Sequence, residues 1–201
     1  EREFLDKVHE VLDRGGKVIV PAFAVGRTQE IVQVLKDIDE EKWLDGMGKR
    51  VSQIYLRHGD SIRNHGELRK AMKQFRFVKT PYQRNNAAEA PLVVTTSGML
   101  DGGPVVEYIR RSLNDRNTAI LLTGYQVDDT NGRMLMETGS MEIDGEIQKV
   151  NCEVKHFDFS AHAGHEDLVK FAESTGAEEI ILVHGDNREA IAEDMGSFAK
   201  V

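Results

Sequence analysis

Short, unbroken apolar runs bounded by glycine or proline recur along the chain and constrain its fold more than any other feature. The clearest runs lie within residues 17–20, 91–95, 118–122 and 180–183. Runs of this length are typical of strands that are buried on both faces, and helical spacing of apolar residues marks several segments between them. Strands that alternate with helices predict right-handed crossovers and parallel pairing. We therefore predict an α/β fold with a mostly parallel, Rossmann-like sheet flanked by helices.

A loop follows the first of these strands. Residues 21–26 separate it from residues 28–38, where apolar side chains have helical spacing. The first N–H groups of a helix are unpaired and its dipole favours negative charge, so such a loop can bind an anion. Arg27 would add a bidentate contact to phosphate. On this loop alone, a helix start that only packs on the sheet is the better explanation, and the P-loop signature does not occur.

A second glycine-containing loop follows the strand at 91–95 and leads into a predicted helix at 105–113. It carries Ser97 and Gly98. Glycine lets a backbone approach a ligand closely, and the Ser97 hydroxyl suits a contact with phosphate or ribose. A tight turn alone would also explain these glycines.

Two histidines follow the last predicted strands. Residues 154–186 have the order strand, loop, helix, strand, with His162 after the first strand and His184 after the second. In such a unit the two strands are expected to lie side by side, so that both ends open at one edge of a sheet. Imidazole is the commonest transition-metal ligand, although a zinc site needs three or four ligands. A single histidine after a strand is more often part of a hydrogen-bonded structure than of a reactive site.

The remaining secondary structure is less regular. We expect strands at 51–56 and 75–79, a loop or short helix at 39–49, and a polar loop at 81–90. Asp144-Gly145 between two short strand-like segments predicts a β-hairpin. Because this hairpin breaks the alternation, we place a domain boundary near residue 148, with domains at 1–148 and 149–201.

Five sequence blocks, in one order, resemble a known family. They are PAFAVGRTQE at 21–30, TSGMLDGGPV at 96–105, GYQ at 124–126 with GR at 132–133, FSAH at 159–162, and LVHG at 182–185. They resemble the β-CASP branch of the metallo-β-lactamase-fold nucleases, the family of RNase J and of the cleavage and polyadenylation specificity factor nuclease. The likeness is strongest to archaeal mRNA 3′-end processing factors. It implies that 1–148 is a β-CASP cap and 149–201 a βαβ segment of the metallo-β-lactamase domain.

The resemblance also implies a function, a zinc-dependent ribonuclease that hydrolyses single-stranded RNA. His184 resembles a ligand of the second of two zinc ions, and His162 resembles the histidine that donates a proton to the leaving oxygen or stabilises its charge. Within the matching blocks we assign the RNA or phosphate contacts to six residues: Arg27, Thr28, Ser97, Gly98, Tyr125 and Arg133.

The chain departs from the family in three places. The His-x-His-x-Asp-His motif that builds most of the family's metal centre does not occur, and the chain starts at Glu1 rather than Met. We therefore expect a fragment that lacks the N-terminal metal-binding half, holds no zinc and is inactive alone. Residues 57–61 stand where we expect an Asp-Ser-Pro-like turn, and a turn explains their His and Asp better than a metal site does. Where relatives often have Ser-Ala-His-Ala-Asp, this chain keeps Ala163 but continues with Gly164-His165, so the Asp is missing.

Composition indicates the cell compartment of the protein and the kinds of partner that we expect. A single cysteine, Cys152, excludes an internal disulfide and suits a reducing cytoplasm. No apolar run is long enough for a membrane span, and no signal peptide is recognisable. We expect a cytoplasmic protein whose partners are single-stranded RNA and, as assemblies, a homodimer or an RNA-processing complex.

The net charge of -8 is unevenly distributed. Residues 49–84 contain ten basic and two acidic residues, so the rest of the chain has a net charge of -16. This basic segment is either a surface that follows phosphates or a solvated helix face, and the sequence leaves both open.

A second hypothesis is a non-catalytic RNA-binding or assembly module, although both late histidines favour the nuclease. The lack of Gly-x-Gly-x-x-Gly after any strand weakens a nucleotide-binding Rossmann interpretation. A serine hydrolase based on Ser160 and His162 fails, because residues two apart on an extended segment do not easily hydrogen-bond as nucleophile and base.

Overall fold

A computed structural model describes residues 1–159, 163–185, 187–196 and 199–200. Residues Glu1–Phe159 form one compact unit, and Ser160–Val201 contain a second. The strands of the described residues are β1 (Val18–Pro21), β2 (Lys42–Leu44), β3 (Arg76–Phe77), β4 (Leu92–Thr95), β5 (Ala119–Leu122), β6 (Ser140–Ile143), β7 (Glu146–Lys149), β8 (Glu153–His156), β9 (Ile180–Ile181) and β10 (Ala199–Lys200). The helices are α1 (Arg2–Asp13), α2 (Arg27–Val34), α3 (Gly48–Arg57), α4 (His65–Met72), α5 (Pro81–Glu89), α6 (Pro104–Ser112), α7 (Asn131–Thr138), α8 (His165–Ser174) and α9 (Arg188–Met195).

Six parallel strands form the central sheet of the first unit, in the order β3-β2-β4-β1-β5-β8. β1 lies between β4 and β5, with Val18 opposite both Leu92 and Ala119. Parallel neighbours need long crossover connections, and the intervening helices supply them. The predicted mostly parallel α/β sheet is confirmed.

The central strands are buried on both faces because helices cover each face. Val18 and Val20 of β1 belong to one core cluster, together with apolar residues of α1, α2 and α4. Ile19, between them, belongs to the opposite cluster, with residues of α5, α6 and α7. Double burial is the reason that these strands have unbroken apolar sequences.

The predicted hairpin is formed by β6 and β7, which pair antiparallel. Asp144 and Gly145 at its turn both have positive φ, 55° and 83°. A two-residue type I′ turn requires this backbone geometry, which aspartate and glycine tolerate best.

The predicted strand at 51–56 was wrong, because these residues lie within α3. The helix buries Gly48 and Ser52, one turn apart, so its burial follows helical rather than alternating spacing. The strand of this region is β2, within the segment where we expected a loop or short helix. The turn after β2, at Asp45 and Gly46, leads into α3.

The predicted loop at 81–90 was also wrong, because it forms α5. The Gln83 N–H donates to Thr80 Oγ1 (3.2 Å), and Pro81 occupies the first turn. A threonine cap followed by proline is a helix-start signal. Only Ala87 and Ala88 of this helix are buried, so its apolar face is too small to be recognised from periodicity.

The two late strands pair with other partners than predicted. β8 pairs in parallel with β5, with Glu153 opposite Ala119 and His156 opposite Leu122. β9 pairs in parallel with β10. The expectation that residues 154–159 and 180–183 form neighbouring strands was wrong, because β8 pairs with β5 and β9 pairs with β10. The domain boundary near residue 148 stays a prediction. The first compact unit extends to Phe159 and includes β8, but compactness does not show to which family domain a strand belongs.

In the second unit, α8 contacts α9, and β9 and β10 complete its regular structure among the described residues. No helix in the described part of the chain has the length and apolar character needed to cross a membrane.

Candidate functional site

The loops after β1, β2, β4 and β5 emerge at one edge of the central sheet, because parallel strands end on the same side. α/β proteins bind ligands at this edge, outside the carboxyl ends of the strands. All six predicted RNA contacts lie in these loops or in the first turns of the helices that follow them: Arg27, Thr28, Ser97, Gly98, Tyr125 and Arg133. Arg133 lies in the first turn of α7, the helix that follows β5.

The loop between β1 and α2 is held by its own hydrogen bonds. The backbone N–H and the hydroxyl of Thr28 both donate to the Phe23 carbonyl, at 3.0 and 2.7 Å. The Gln29 side chain accepts from the Gly26 N–H (2.7 Å) and donates to the Ala24 carbonyl (3.1 Å). Thr28 is fully buried. A phosphate contact by Thr28 stays a prediction, and its hydroxyl is already engaged within the loop.

Arg27 faces the protein interior. One terminal nitrogen contacts the Glu30 carboxylate, and the other donates to the backbone carbonyl of Phe159. The guanidinium also lies 5.5 Å from the centre of the Phe159 ring, a cation–π distance. Its side chain is only 12% exposed. The predicted phosphate contact of Arg27 is untested, and it would require these bonds to open.

The Phe23 ring joins three of the loops. A Cβ added to Gly98 would lie 3.0 Å from the Phe23 backbone nitrogen, and one added to Gly124 would lie 2.7 Å from the ring. Both glycines are therefore needed for loop packing, whatever ligand they meet. Ser97 Oγ is buried with no hydrogen-bond partner among the described residues, so its hydrogen-bonding capacity is unused there.

A buried amide closes the same loop cluster. Gln126 Nε2 donates to the carbonyls of Gly98 (3.1 Å) and Gly124 (2.8 Å). The neighbouring Tyr125 side chain is 66% exposed, so its ring is free to stack on a base. Arg133 is partly exposed and pairs with Glu137 at 2.6 Å and with Asp128 at 3.6 Å.

Asp45 is a buried charged residue that the sequence analysis missed. It directly follows β2, and its carboxylate accepts from Arg84 (2.7 Å), Lys49 (3.1 Å), the Tyr108 hydroxyl (3.0 Å) and the Gly46 N–H (2.6 Å). Burial alone would raise the pKa of Asp45, but the bonds from Arg84, Gly46 and Lys49 outweigh it and hold the pKa below the ordinary 3.8.

The same network perturbs Tyr108. Burial, with the charge of Asp45 close by, raises the pKa of the Tyr108 phenol well above its ordinary value of 10.0. Tyr108 therefore stays a neutral donor to the carboxylate. The sequence signal for this cluster was Asp45-Gly46 after a short apolar segment, and it was overlooked because β2 itself was not predicted.

In the second unit, His184 lies three residues beyond the end of β9 and is exposed to solvent. Its φ is 59°, a left-handed conformation that is uncommon for residues with a side chain. It lines an apolar cavity of about 700 Å³ together with residues of α8, β9 and α9. His165, also at this cavity, pairs with Asp194 at 2.5 Å. His162 and Ser160 lie outside the described residues.

The donor set does not by itself fit a zinc site. No group of three or more His, Cys, Asp or Glu side chains comes together within the residues that the structure describes. Because zinc takes three or four protein ligands, His184 alone cannot hold it.

Two family sequence models match the chain. The Beta-Casp domain matches residues 28–135. The Zn-dependent metallo-hydrolase RNA specificity domain matches residues 147–195. The first covers more than half of the chain and includes the loops after β2, β4 and β5.

The chain belongs to the β-CASP family. The predicted family membership is therefore confirmed. The second matched segment of this β-CASP chain begins before β8, which pairs in the central sheet, and it contains the positions of both late histidines.

Several curated proteins are similar to this β-CASP chain. Probable RNase MJ4 of Methanocaldococcus jannaschii is 39% identical over 197 residues, which are 94% of this chain and 46% of that protein. RNase aCSPSF2 of Saccharolobus solfataricus is 36% identical over 199 residues, 96% of this chain and 40% of that protein. Transcription termination factor FttA of Thermococcus kodakarensis is 32% identical over 220 residues, 95% of this chain and 34% of that protein. The chain spans less than half of the length of these relatives.

Proposed function

We propose that the protein containing this chain is a zinc-dependent ribonuclease that acts in RNA 3′-end processing. The observation that carries the proposal is the pair of matched families, Beta-Casp followed by a Zn-dependent metallo-hydrolase RNA specificity domain. The relatives named as RNases support the same reaction class, hydrolysis of phosphodiester bonds. The 201 residues would supply the RNA-contacting cap and two of the active-site histidines, and we expect them to be inactive alone.

His184 would be a zinc ligand in the whole protein. Its exposure and its left-handed backbone support a role beyond packing, because strained conformations cluster at functional sites. The remaining ligands of the two zinc ions would have to come from residues outside the described set. When bound, zinc polarises phosphoryl oxygens and lowers the pKa of water.

His162 would donate a proton to the leaving oxygen. A histidine suits this role because its ordinary pKa is close to neutrality. The approach of the RNA would involve Tyr125, whose exposed ring can stack on a base, and Ser97, whose hydroxyl has no partner among the described residues.

The test is RNA cleavage and zinc content of the full-length protein with single histidine substitutions. His184→Ala should lower bound zinc and reduce cleavage at least ~100-fold, whereas His162→Ala should reduce cleavage without losing zinc. His9→Ala is the matched control, because His9 lies on the exposed face of α1. Unchanged cleavage in both late-histidine variants would refute the proposed roles.

A non-catalytic RNA-binding or assembly module is the second candidate function. RNA binding by the full-length protein without zinc and without cleavage would identify this alternative.

A further inference from the structure

The structure divides the basic segment, residues 49–84, into paired and unpaired side chains. Four basic residues form ion pairs: Lys49 and Arg84 with Asp45, Lys70 with Glu67, and Arg76 with Glu41. The other six have no ion pair with a carboxylate in the described part of the chain: Arg50, Arg57, Arg63, Arg69, Lys73 and Lys79. Among the described residues, the positive charge of the basic segment is therefore unpaired only at these six positions.

Two of the unpaired arginines share one face of α3. The exposed residues Arg50, Ile54 and Arg57 follow helical spacing, opposite the buried Gly48 and Ser52. Seven residues at 1.5 Å each place Arg50 and Arg57 about 10 Å apart along the helix axis.

Apolar side chains complete this face. Ile54 is 53% exposed between the two arginines, and Met47, three residues before Arg50, is 64% exposed. We call Met47, Arg50, Ile54 and Arg57 the α3 stripe. An exposed row of alternating apolar and basic side chains is not explained by packing within this unit.

The α3 stripe starts at the loop edge of the sheet. The Met47 N–H donates to Thr96 Oγ1 (3.1 Å), in the loop after β4. A Cβ added to Gly48 would lie 2.6 Å from the Thr28 side chain, so the start of α3 also packs closely on the start of α2. The N-terminal end of the stripe therefore lies beside Thr96, in the loop that also carries Ser97.

We propose that the α3 stripe binds the backbone of single-stranded RNA, with Arg50 and Arg57 on phosphates and with Met47 and Ile54 against sugar and base. This inference rests on the proposed RNA-processing function and names a surface for its substrate. Arginine is suited to phosphate because its planar donors match two oxygens at once. Without a carboxylate partner, each guanidinium keeps this capacity.

The charge distribution favours this surface over the rest of the chain. Outside residues 49–84, the chain has a net charge of -16. A polyanion is repelled by such a surface and is attracted to local positive potential. The α3 stripe combines that potential with exposed apolar area, which a solvated helix face does not require.

The experiment compares two double variants of the full-length protein for binding to fluorescently labelled oligouridylate between 50 and 200 mM salt. Arg50→Gln with Arg57→Gln removes two unpaired charges, and Lys70→Gln with Arg76→Gln removes two paired charges from the same segment. For single strands each phosphate contact contributes about 0.7 to the slope of log affinity against log salt. We expect the first variant to lose ~1.4 of slope and the second to keep the wild-type slope.

Equal slopes in all three proteins, with RNA still bound, would overturn the α3 stripe and leave the proposed function intact. No salt-sensitive RNA binding by the wild type would overturn both. A polyglutamate peptide serves as the second probe. If it binds the wild type as tightly as RNA and loses affinity in the first variant, the stripe is an acidic-partner surface and the RNA assignment is wrong.

Discussion

The Arg27 guanidinium donates to the backbone carbonyl of Phe159, 132 residues further along the chain. Phe159 is itself anchored, since its ring makes an edge contact with Phe4 at 5.3 Å. It directly precedes Ser160 and stands three residues before His162. Arg27 therefore ties the loop edge of the sheet to the segment that leads into the first late histidine.

Arg27→Lys tests whether this tie positions His162 or whether Arg27 binds substrate. A lysine has one donor nitrogen and cannot reach Glu30 and Phe159 in the same way. If Arg27 positions the segment, kcat for RNA cleavage by the full-length protein should fall about 10- to 100-fold with KM nearly unchanged. A rise in KM at constant kcat would instead identify a phosphate ligand. Arg110→Lys, at an exposed pair with Glu107, is the control and should change neither constant.

Asp45→Asn should destabilise the first unit, because it removes the charge that Arg84 and Lys49 share. Breaking a buried ion pair costs about 3–5 kcal/mol. We expect the lower end of this range, since Arg84 keeps 36% of its side chain exposed. Asp144→Asn provides the control, because Asp144 is 76% exposed in its pair with Arg110 and should cost less than ~1 kcal/mol. Urea unfolding of both variants measures the difference, and equal midpoints would contradict a stabilising role for Asp45.

The same variant predicts a pH dependence. The folded pKa of Asp45 lies below the ordinary 3.8, so the unfolded state binds more protons and the carboxylate stabilises the fold at higher pH. Its contribution should be complete above about pH 5, and it should be lost as pH falls below 3.8 toward the folded pKa. The stability difference between the wild type and Asp45→Asn should therefore be constant from pH 5 to 7 and shrink below pH 4. A constant difference down to pH 3 would show that charge is not the cause.

The central sheet could be predicted from sequence because double burial leaves a strong local signal. β1, β4 and β5 are fully buried, and their apolar runs have no other simple explanation. β2 is equally buried but includes Lys42 and Trp43, so it lacks the apolar run from which the other strands were predicted. α3 was mistaken for a strand because residues 51–56 are rich in residues that strands favour, while its buried positions are occupied by glycine and serine.

The candidate site was only partly predictable, for a different reason. The loops that carry Ser97 and Tyr125 follow recognisable strands, so their place at one edge follows from parallel topology. The contacts of Arg27 with Phe159 and of Asp45 with Arg84 join residues that are far apart in sequence. Such partners depend on tertiary packing, and residue type alone does not reveal them.

Cys152 should be unreactive in the folded protein. It is 7% exposed, its thiol donates to the Ser112 carbonyl at 2.9 Å, and burial raises its pKa to about 11. Because the thiolate is the reactive form, labelling by a disulfide reagent at pH 8 should be at least ~100-fold slower than for glutathione. Asp13→Cys places a second thiol on the exposed end of α1 and should label rapidly in the same molecule. Rapid labelling of Cys152 without denaturant would show that this part of the unit opens readily.

Gly132→Ala and Gly66→Ala form a matched pair, because each glycine is the second residue of an eight-residue helix. A Cβ at Gly132 would fall 1.6 Å from Gln126 Oε1, whereas a Cβ at Gly66 meets nothing within 4 Å. Displacing the Gln126 amide would disturb its bonds to two loops, so Gly132→Ala should cost about 1–3 kcal/mol of unfolding free energy. Gly66→Ala should instead stabilise the unit by up to ~1 kcal/mol, since alanine is the better helix former. Opposite shifts in the urea midpoint would establish that the loop edge depends on this close packing, and shifts of the same sign would refute it.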